Sequence, residues 1–316
     1  MRYCSDTLTL ILRQLIFFCL VFLACTSDVQ AQGDGPRAYF PTPTGTNTFA
    51  AYGLSISGNT VLGSGLVDRS ASVDTDILAL QYTRTIDVAG RSSGVFVIAP
   101  LGSASGTVAG RLGRLEGKSE GIGDLVFGGV FTLTGVPSLS KQNYASFDPG
   151  LAVGVLTKLT IPSGDYSQTR ALNLGANRWS LQLGIPVNYY FGSSFLDPNL
   201  AVLEVLPSIT VFSDNSSAFE GGSLSQDPLY KIEAHVSRNL NQAIFVSLDG
   251  LWTYGGNTKT NGVSNNNKQN SLSMGGSLGL NLSKTTSIKF SYGKVVSRND
   301  SGADGDMFRL SFSKLF

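Results

Sequence analysis

Apolar and polar residues alternate along most of this chain. The stretch Asp306–Phe316 shows the pattern clearly, because Phe308, Leu310, Phe312 and Phe316 fall on one parity and mostly polar residues fall on the other. Successive side chains of a β-strand point to opposite faces, so this alternation predicts a strand with one apolar face.

The same alternation recurs in segments of about ten residues, a length that lets a tilted strand cross a bilayer. We predict twelve strands: Phe49–Ser57, Thr75–Ile86, Val95–Leu101, Ile122–Leu133, Leu151–Ile161, Trp179–Phe191, Asn199–Phe212, Tyr230–Leu240, Ala243–Tyr254, Ser271–Leu282, Ser287–Val296 and Asp306–Phe316. An even number of such strands is typical of an all-β, transmembrane, antiparallel up-and-down β-barrel of a bacterial outer membrane. A soluble sandwich of amphipathic strands is the alternative.

The connections between these segments favour the barrel. One alternate set is short: Asp87–Gly90, Gly192–Pro198, Asn239–Gln242 and Ser283–Thr286. The other set is long and polar: Gly58–Val73, Gly102–Ser119, Pro162–Arg178, Ser213–Pro228, Gly255–Asn270 and Ser297–Gly305. Outer-membrane barrels have short periplasmic turns and long outer loops, which places both termini in the periplasm. One connection, Gly135–Pro149, is expected on the periplasmic side and yet is long.

The first 31 residues predict a secretory signal peptide. Arg2 and Arg13 precede the apolar run Leu15–Ala24, which is too short for a membrane anchor, and Val29–Ala31 suits cleavage after Ala31. All three cysteines, Cys4, Cys19 and Cys25, lie in this leader, and Cys25 leaves lipoprotein processing as an alternative. We therefore divide the chain into a signal peptide (1–31), an extended lead-in rich in Pro and Gly (32–47) and the barrel (48–316).

Composition excludes several classes of function. The formal net charge is +1 and charged residues make up 14% of the chain, against about 25% in an ordinary soluble domain. A nucleic-acid partner would need a basic face, and the sequence has none. No cofactor or metal is expected, since the predicted mature chain has no cysteine and a single histidine. Asp300, Asp304 and Asp306 could bind a divalent cation, but a solvated turn is the simpler interpretation.

Several motifs resemble those of a known family. Ile161–Tyr166 followed by Asn173–Ser180 (N-L-G-A-N-R-W-S) is similar to the signature of the outer-membrane "MetA-pathway of phenol degradation" family. Further pieces agree in the family's order: Gly35–Pro41, Gly121–Asp124, Ser225–Pro228, Ser247–Asp249 and Gly255–Gly256. Ile161, where the family usually has Pro, departs from the pattern.

The resemblance implies a barrel transporter for hydrophobic compounds in the outer membrane of a Gram-negative bacterium. The final strand also resembles the closing strand of such barrels, whose terminal Phe and alternating apolar residues serve as the assembly signal; Phe308, Leu310, Phe312 and Phe316 would fill this role. Lys314 stands where most such proteins have an apolar residue. The implied partners are outer-membrane lipid, the barrel assembly machinery and small hydrophobic or aromatic solutes. A non-transporting barrel whose surface loops bind a partner is the alternative.

The polar parity is expected to face the lumen. It carries seven ionisable residues: Asp124, Lys158, Glu204, Lys231, Glu233, His235 and Asp249. These residues could line a charged constriction that filters solutes, or could form a salt-bridged filling that plugs the barrel. Pairing outward from the turn Asn239–Gln242 brings Lys231 and Asp249 to roughly similar depth, where opposite charges could meet across the ladder. If the patch lines a conduction path, neutralising Glu233 and Asp249 would favour anions, and His235 would alter conductance between about pH 5 and 8.

One enzyme hypothesis arises from His235 and Ser237, which share a strand face and could form a nucleophile–base pair. Outer-membrane lipid hydrolases have such pairs, but those sites must face lipid. Here both residues share the lumen parity, so we expect no catalytic residues.

Overall fold

The computed structural model describes residues 33–61, 66–68, 70–110 and 113–316. Within these residues, twelve antiparallel strands close into a barrel in which each strand pairs with its neighbours in the chain. The strands are β1 (Asn47–Gly58), β2 (Ser72–Val88), β3 (Arg91–Gly110), β4 (Gly113–Ile122 and Val126–Thr134), β5 (Leu151–Thr160), β6 (Ser180–Gly184 and Val187–Phe191), β7 (Ala201–Phe212), β8 (Leu229–Asn239), β9 (Ile244–Gly255), β10 (Gln269–Ser283), β11 (Thr286–Arg298) and β12 (Gly305–Leu315). The predicted transmembrane barrel is confirmed. The predicted signal peptide, with its three cysteines, lies outside the described residues.

Pairing of β12 with β1 closes the barrel. The register runs from Thr48 opposite Leu315 to Gly58 opposite Gly305. Beyond the ladder, the Asn47 and Phe316 backbones exchange two hydrogen bonds, with N···O distances of 3.0 and 2.9 Å. Closure leaves the described barrel sheet without an open edge, which a bilayer requires because lipid cannot bond to free backbone groups.

The outward face of the barrel is apolar. Large apolar side chains with substantial exposure include Phe127, Leu183, Tyr189, Leu248, Met274, Phe290, Phe308, Leu310, Phe312 and Phe316. The four residues of the predicted assembly signal belong to this set, and their role in assembly stays a prediction. β1 differs, because its apolar parity includes Ala50, which is buried, and Tyr52, whose hydroxyl donates to Gln81 Oε1 at 3.1 Å on the lumen side. Apolar residues fit there because this lumen is packed rather than open.

The predicted loop Gly102–Ser119 is wrong in detail. β3 and β4 continue through it in register, from Leu101 opposite Ile122 to Gly110 opposite Gly113. The outward face of this hairpin carries exposed charged side chains: Arg114, Glu116, Lys118 and Glu120. Charges on the outer face are compatible with water and costly in hydrocarbon, so the hairpin extends beyond the membrane. The hairpin is rich in Gly and Ser, so its sequence does not show the alternation of apolar and polar residues that predicts a strand.

The remaining connections carry small elements. A three-stranded sheet of Leu224–Gln226, Thr258–Thr260 and Val263–Ser264 lies among the outer loops. The long inner connection between β4 and β5 contains a short helix, α1 (Lys141–Ser146), whose N-cap Ser140 accepts a hydrogen bond from Asn143 N. Among the described residues, no helix is long and apolar enough to cross a membrane.

The interior is packed at three levels. An inner cluster contains Val136, Leu139, Ala152, Tyr190, Phe195, Leu200 and Val202. A middle cluster contains Phe96, Leu156 and Leu206, with Tyr39 against it. An outer cluster contains Val73, Ala104, Val108, Leu172 and Leu174. The inner and outer clusters both contain residues from connections between strands, so segments outside the strands fill both ends of the lumen.

Candidate functional site

Four of the seven predicted lumen residues form a buried charged belt. Glu204, Glu233, His235 and Asp249 are all under 10% exposed. His235 Nδ1 lies 2.8 Å from Asp249 Oδ1, and its Nε2 lies 3.6 Å from Glu233 Oε2. The His235 ring is thus held between two carboxylates, an arrangement that orients it.

Serine hydroxyls complete the surroundings of Asp249. Ser247 Oγ donates to Oδ1 at 2.6 Å, and Ser277 Oγ donates to Oδ2 at 2.8 Å. Burying a carboxylate is costly unless its oxygens are bonded. The hydroxyls supply those bonds from β9 and β10.

The predicted pairing of Lys231 with Asp249 is wrong. β8 and β9 pair with Asn239 opposite Phe245, which places His235 opposite Asp249 and Lys231 opposite Thr253. The turn lies one position later in the chain than the predicted Asn239–Gln242, and the partner of Asp249 is four residues further along β8 than Lys231. Lys231 is half-buried, nearer the outer end of β8.

A segment that precedes β1 enters the lumen, and we call residues 33–46 the plug. Two carboxylates of the belt accept hydrogen bonds from its backbone. Glu233 Oε2 accepts from Asp34 N at 2.8 Å, and both oxygens of Glu204 accept from Arg37 N at 2.9 and 3.1 Å. The wall charges therefore satisfy plug backbone groups that would otherwise be buried without partners.

Cations of the wall bind the plug in the same way. Arg309 donates to the carbonyl oxygens of Gly33 and Asp34 at 2.6 and 2.8 Å. Lys289 Nζ donates to the Pro36 carbonyl oxygen at 2.6 Å. Lys158, the fifth predicted lumen residue, forms an ion pair with the Asp34 carboxylate. Three of the seven predicted lumen residues, Glu204, Glu233 and Lys158, therefore contact the plug.

Two glycines permit this close approach. A Cβ on Gly33 would lie 1.9 Å from Glu233 Oε1. A Cβ on Gly35 would lie 2.8 Å from Arg309 Nη1, and Gly35 has a φ of +85°, where side chains are strained. A larger residue at either position would displace the Glu233 carboxylate or the Arg309 guanidinium from its place against the plug.

Arg37 anchors the plug toward the inner end. Its Nε donates to Ser237 Oγ at 3.0 Å, its Nη1 donates to Asn239 Oδ1 at 2.8 Å, and its guanidinium lies 4.1 Å from the Phe245 ring centroid. Ser237 Oγ is thus bonded to Arg37, while His235 faces carboxylates. The hydrogen bond that activates a serine nucleophile is not the arrangement found.

The base of the plug is held by β6, by the turn that follows it and by the long inner connection Gly135–Pro149. Phe40 packs edge-on against Tyr190 and Phe195, with ring centroids 5.6 and 5.5 Å apart. Tyr144 in α1 donates its hydroxyl to the Pro41 carbonyl oxygen at 2.9 Å, and Thr44 N donates to the Leu139 carbonyl oxygen at 2.9 Å. The contacts that Tyr144 and Leu139 make with the plug account for the length of Gly135–Pro149, the one inner connection that is not a short turn.

Asp124, the last predicted lumen residue, lies near the outer end of the barrel. Its two oxygens accept hydrogen bonds from Gly164 N and Ala176 N, each at 2.8 Å. Both partners belong to residues 161–179, the connection from β5 to β6, which we call the cover. Leu172 and Leu174 of the cover pack into the outer cluster, so the cover folds inward across the outer mouth.

A cavity of about 270 Å³ lies between the cover and the wall. Its lining is mainly apolar, with polar groups at the rim: Ile77, Pro100, Leu101, Gly102, Gly123, Asp124, Thr160, Leu174, Ala176, Arg178, Ser180 and Phe212. A second void of about 20 Å³, beside Asp34 and His235, has room for little more than a water molecule. The plug therefore fills the lumen at mid-height, and the larger of these two cavities lies above it.

Arg178 is the cation of this cavity. It is 4% exposed, its guanidinium lies 4.6 Å from the Phe212 ring centroid, and its Nη2 donates to Gln226 Oε1 at 2.6 Å. Burial lowers the pKa of Arg178 to about 10, although the carboxylates of Asp124 and Asp214 act in the opposite direction. The side chain stays charged at neutral pH.

Sequence reasoning missed several of these residues. Arg309 and Lys289 lie on the lumen parity of strands that were predicted, so a stricter count of charges on that parity would have found them. Asp34 and Arg37 lie in a segment without periodicity, where no pattern signals a contact with the wall. Among the described residues, no three His, Asp or Glu side chains are placed to hold a metal; Asp304 instead pairs with Arg298 at 2.7 Å.

Comparisons with known proteins agree with this architecture. Residues 50–310 match the model of the family described as "Putative MetA-pathway of phenol degradation", whereas a search of curated proteins finds no match. The fold is similar to that of an outer membrane channel from Pseudomonas putida F1, with a TM-score of 0.70 at 17% identity, over 89% of this chain and 99% of that chain. The beta domain of the Bordetella autotransporter BrkA gives a TM-score of 0.48 at 10% identity, over 86% of this chain and 100% of that chain. These likenesses concern the fold alone.

Proposed function

The chain belongs to the family described as the putative MetA-pathway of phenol degradation, and we propose that it is an outer-membrane channel for the passive uptake of small hydrophobic or aromatic molecules. The observation that carries this proposal is the mainly apolar cavity of about 270 Å³ above the plug. An engineered cavity of about 150 Å³ lined by Leu, Ile and Phe takes up benzene, so this cavity has room for one substituted ring.

Fold and surface support the outer membrane as its location. The closed barrel has an apolar outward face, and the Pseudomonas protein that shares its fold is described as an outer membrane channel. Export by the predicted signal peptide belongs to the same proposal.

Passage through the barrel requires the plug to move. Below the cavity, the belt and the plug occupy the lumen, and the void between them is about 20 Å³. Many contacts between plug and wall are hydrogen bonds and ion pairs of polar groups, which water can replace at moderate net cost. Tyr39 and Phe40 add apolar contacts to the middle and inner clusters. Displacement of the plug toward the periplasm would join the cavity to the inner end.

Removal of the plug tests the proposal. We expect a barrel lacking residues 33–46 to admit benzyl alcohol into liposomes several-fold faster than the intact protein, with a matching rise in single-channel conductance. A matched control is a barrel with Gly262 and Val263 deleted from the exposed outer loops, which should behave as the intact protein. Both variants must first show the heat-modifiable migration of a folded barrel.

The competing function is that of a non-transporting barrel whose outer loops bind a partner. The specific observation in its favour is that the plug fills the lumen at mid-height and the cover folds across the outer mouth. A folded barrel without the plug that still excludes both benzyl alcohol and ions would support this alternative and contradict a channel.

A further inference from the structure

A pair of stacked aromatic rings lies on the outward face of β9, near its outer end. Trp252 and Tyr254 have ring centroids 5.6 Å apart and ring planes inclined by 17°. Both share the parity of Leu248, which faces outward, and Tyr230 of β8 lies directly opposite Tyr254 on the same face. Trp252 Nε1 donates to Asn270 Oδ1 of β10 at 3.0 Å, so the indole ring is held in place. These rings form a fixed aromatic surface on the outside of the barrel.

The position of this pair along the strand places it at the membrane boundary. Trp252 lies four residues beyond Leu248, about 13 Å along β9 at the rise of an extended strand. Because barrel strands are tilted by about 35–45°, this distance corresponds to a height of about 10 Å above Leu248. The apolar band of an outer-membrane barrel is about 25 Å tall, so Trp252 lies near its outer edge when Leu248 lies near its middle. Tyr254 then lies among the lipid headgroups, and β9 ends one residue later, at Gly255.

An exposed cation adjoins these rings. Lys268 directly precedes β10, and its Nζ lies 4.3 Å from the Tyr254 ring centroid and donates to the Tyr254 hydroxyl at 2.5 Å. Arg298, from the neighbouring strand β11, is neutralised by Asp304 at 2.7 Å. Lys268, by contrast, forms no ion pair with any of the residues that the structure describes. Its positive charge is therefore presented to the lipid headgroups beside an aromatic surface.

An aromatic surface beside a lysine suits a phosphorylated sugar. An ammonium group binds phosphate as a point charge, and the C–H face of a sugar ring can cover an aromatic ring and remove apolar surface from water. The outer leaflet of a Gram-negative outer membrane is made largely of a glycolipid whose lipid A part carries phosphate groups on a glucosamine disaccharide. A phospholipid offers a phosphate without a sugar ring of this kind, and a neutral glycolipid offers rings without a phosphate.

We propose that Tyr230, Trp252, Tyr254 and Lys268 form a binding site for the lipid A headgroup of the outer leaflet, which we call the interfacial site. A phosphate group binds Lys268, and the glucosamine ring that carries it packs against the Trp252–Tyr254 pair. The inference goes beyond the proposed uptake function, because it requires the outer-membrane location and no passage through the lumen. A bound lipid A molecule would fix the depth at which β8, β9 and β10 leave the membrane.

The two tryptophans of the chain, Trp179 and Trp252, allow a direct test. In a Trp179→Phe parent, Trp252 is the sole tryptophan and reports on the interfacial site. The folded parent is reconstituted into phosphatidylcholine vesicles that contain increasing fractions of lipid A, of lipid A without its phosphates, or of phosphatidylglycerol. We expect lipid A to shift the Trp252 emission in a saturable way, at a half-maximal fraction about fivefold below that of the dephosphorylated form, the upper range for an exposed ion pair. Phosphatidylglycerol should give no saturable shift.

Two substitutions in this parent test the two parts of the site. Lys268→Gln should abolish the difference between lipid A and its dephosphorylated form, because it removes the charge and leaves the rings. Tyr254→Leu should weaken the binding of both forms, because it removes half of the aromatic surface. The matched control is Lys118→Gln, which removes an exposed lysine from the outward face of the β3–β4 hairpin and should keep the preference for lipid A. Each variant must first show the heat-modifiable migration of a folded barrel.

Three outcomes would overturn the inference. Equal half-maximal fractions for lipid A and its dephosphorylated form would exclude the phosphate from the interaction. A response to phosphatidylglycerol equal to that for lipid A would show a general preference for anionic lipid and no site for a glycolipid. Equal losses in Lys268→Gln and Lys118→Gln would assign the effect to the net charge of the barrel. Should Lys268→Gln fail to fold, the comparison of the three lipids in the parent decides alone.

Discussion

Charged side chains inside this barrel bind backbone groups of the plug as well as one another. Glu233 and Glu204 accept from plug N–H groups, while Arg309 and Lys289 donate to plug carbonyl oxygens. A hydrogen bond to a charged group contributes about 1.5–3 kcal/mol, and an unpaired buried charge costs more. The belt and the plug therefore stabilise each other, and removal of the plug exposes the wall charges to the solution.

Neutralising two of these charges should alter ion selectivity. In the barrel lacking residues 33–46, Glu233→Gln with Asp249→Asn removes two negative charges from the lumen wall, so we expect the reversal potential in a salt gradient to shift toward anions. The control is Glu116→Gln with Glu120→Gln, which removes the same charge from the outward face of the β3–β4 hairpin and should leave the potential unchanged. A potential that stays the same in the lumen variant would exclude these residues from the conduction path.

The strands were predictable from the sequence because a barrel imposes a period of two on every element. All twelve predicted segments correspond to strands, and in most of them the apolar parity faces outward. β1 reverses the rule, since Ala50 and Tyr52 face a lumen that the plug has made an interior. Periodicity shows that the two faces of a strand differ in polarity. Which face meets lipid depends on whether the lumen is open to water or filled by protein.

The site was less predictable than the strands. Periodicity identified Glu204, Glu233, His235 and Asp249 as lumen residues, and the structure places them together. Their register depended on the length of one turn, which composition does not fix. Their partners lie in the plug and the cover, where contacts join positions about 200 residues apart, such as Asp34 and Glu233. Local patterns carry no information on such pairs.

One face of β9 points outward from the barrel, toward the expected position of the lipid. Leu248 lies near the middle of β9 with 68% of its surface exposed. We expect Leu248→Arg to destabilise the barrel by about 2–4 kcal/mol, because that is the cost of an Arg side chain facing lipid near the bilayer midplane. Val263, in an outer loop, is equally exposed at 70%, and Val263→Arg should change stability by less than about 0.5 kcal/mol. Urea unfolding in lipid bilayers measures both, and equal costs would place the membrane elsewhere.

At the scale of the whole molecule, two segments outside the strands, the plug and the cover, occupy a lumen that the strands alone would leave open. The plug enters from the inner end and is held at its base by the long connection Gly135–Pro149, while the cover closes the outer end. Many of their contacts to the wall are polar or confined to small clusters, whereas at the base of the plug Gly45 and Thr46 exchange backbone hydrogen bonds with Thr85 of β2. The barrel supplies a rigid frame, and the proposed transport depends on these two segments.

A disulfide between plug and wall tests that dependence. Thr42 and Thr85 place their Oγ1 atoms 2.5 Å apart, so Thr42→Cys with Thr85→Cys brings two thiols close enough to bond and fixes the plug to β2. The cysteines of the natural sequence, at positions 4, 19 and 25, all lie in the predicted leader. We expect the oxidised protein to pass benzyl alcohol several-fold more slowly than the unaltered protein, and reduction to restore the rate.

The control places the same chemistry in the wall alone. Ser287 and Ser313, on β11 and β12, hold their Oγ atoms 2.7 Å apart, so Ser287→Cys with Ser313→Cys forms a bond that does not touch the plug. Its flux should not respond to reduction. If the oxidised plug variant passes benzyl alcohol at the unaltered rate, solutes reach the periplasm without displacement of the base of the plug. If both double variants respond alike, the effect lies in the barrel wall, because only one of the two bonds restrains the plug.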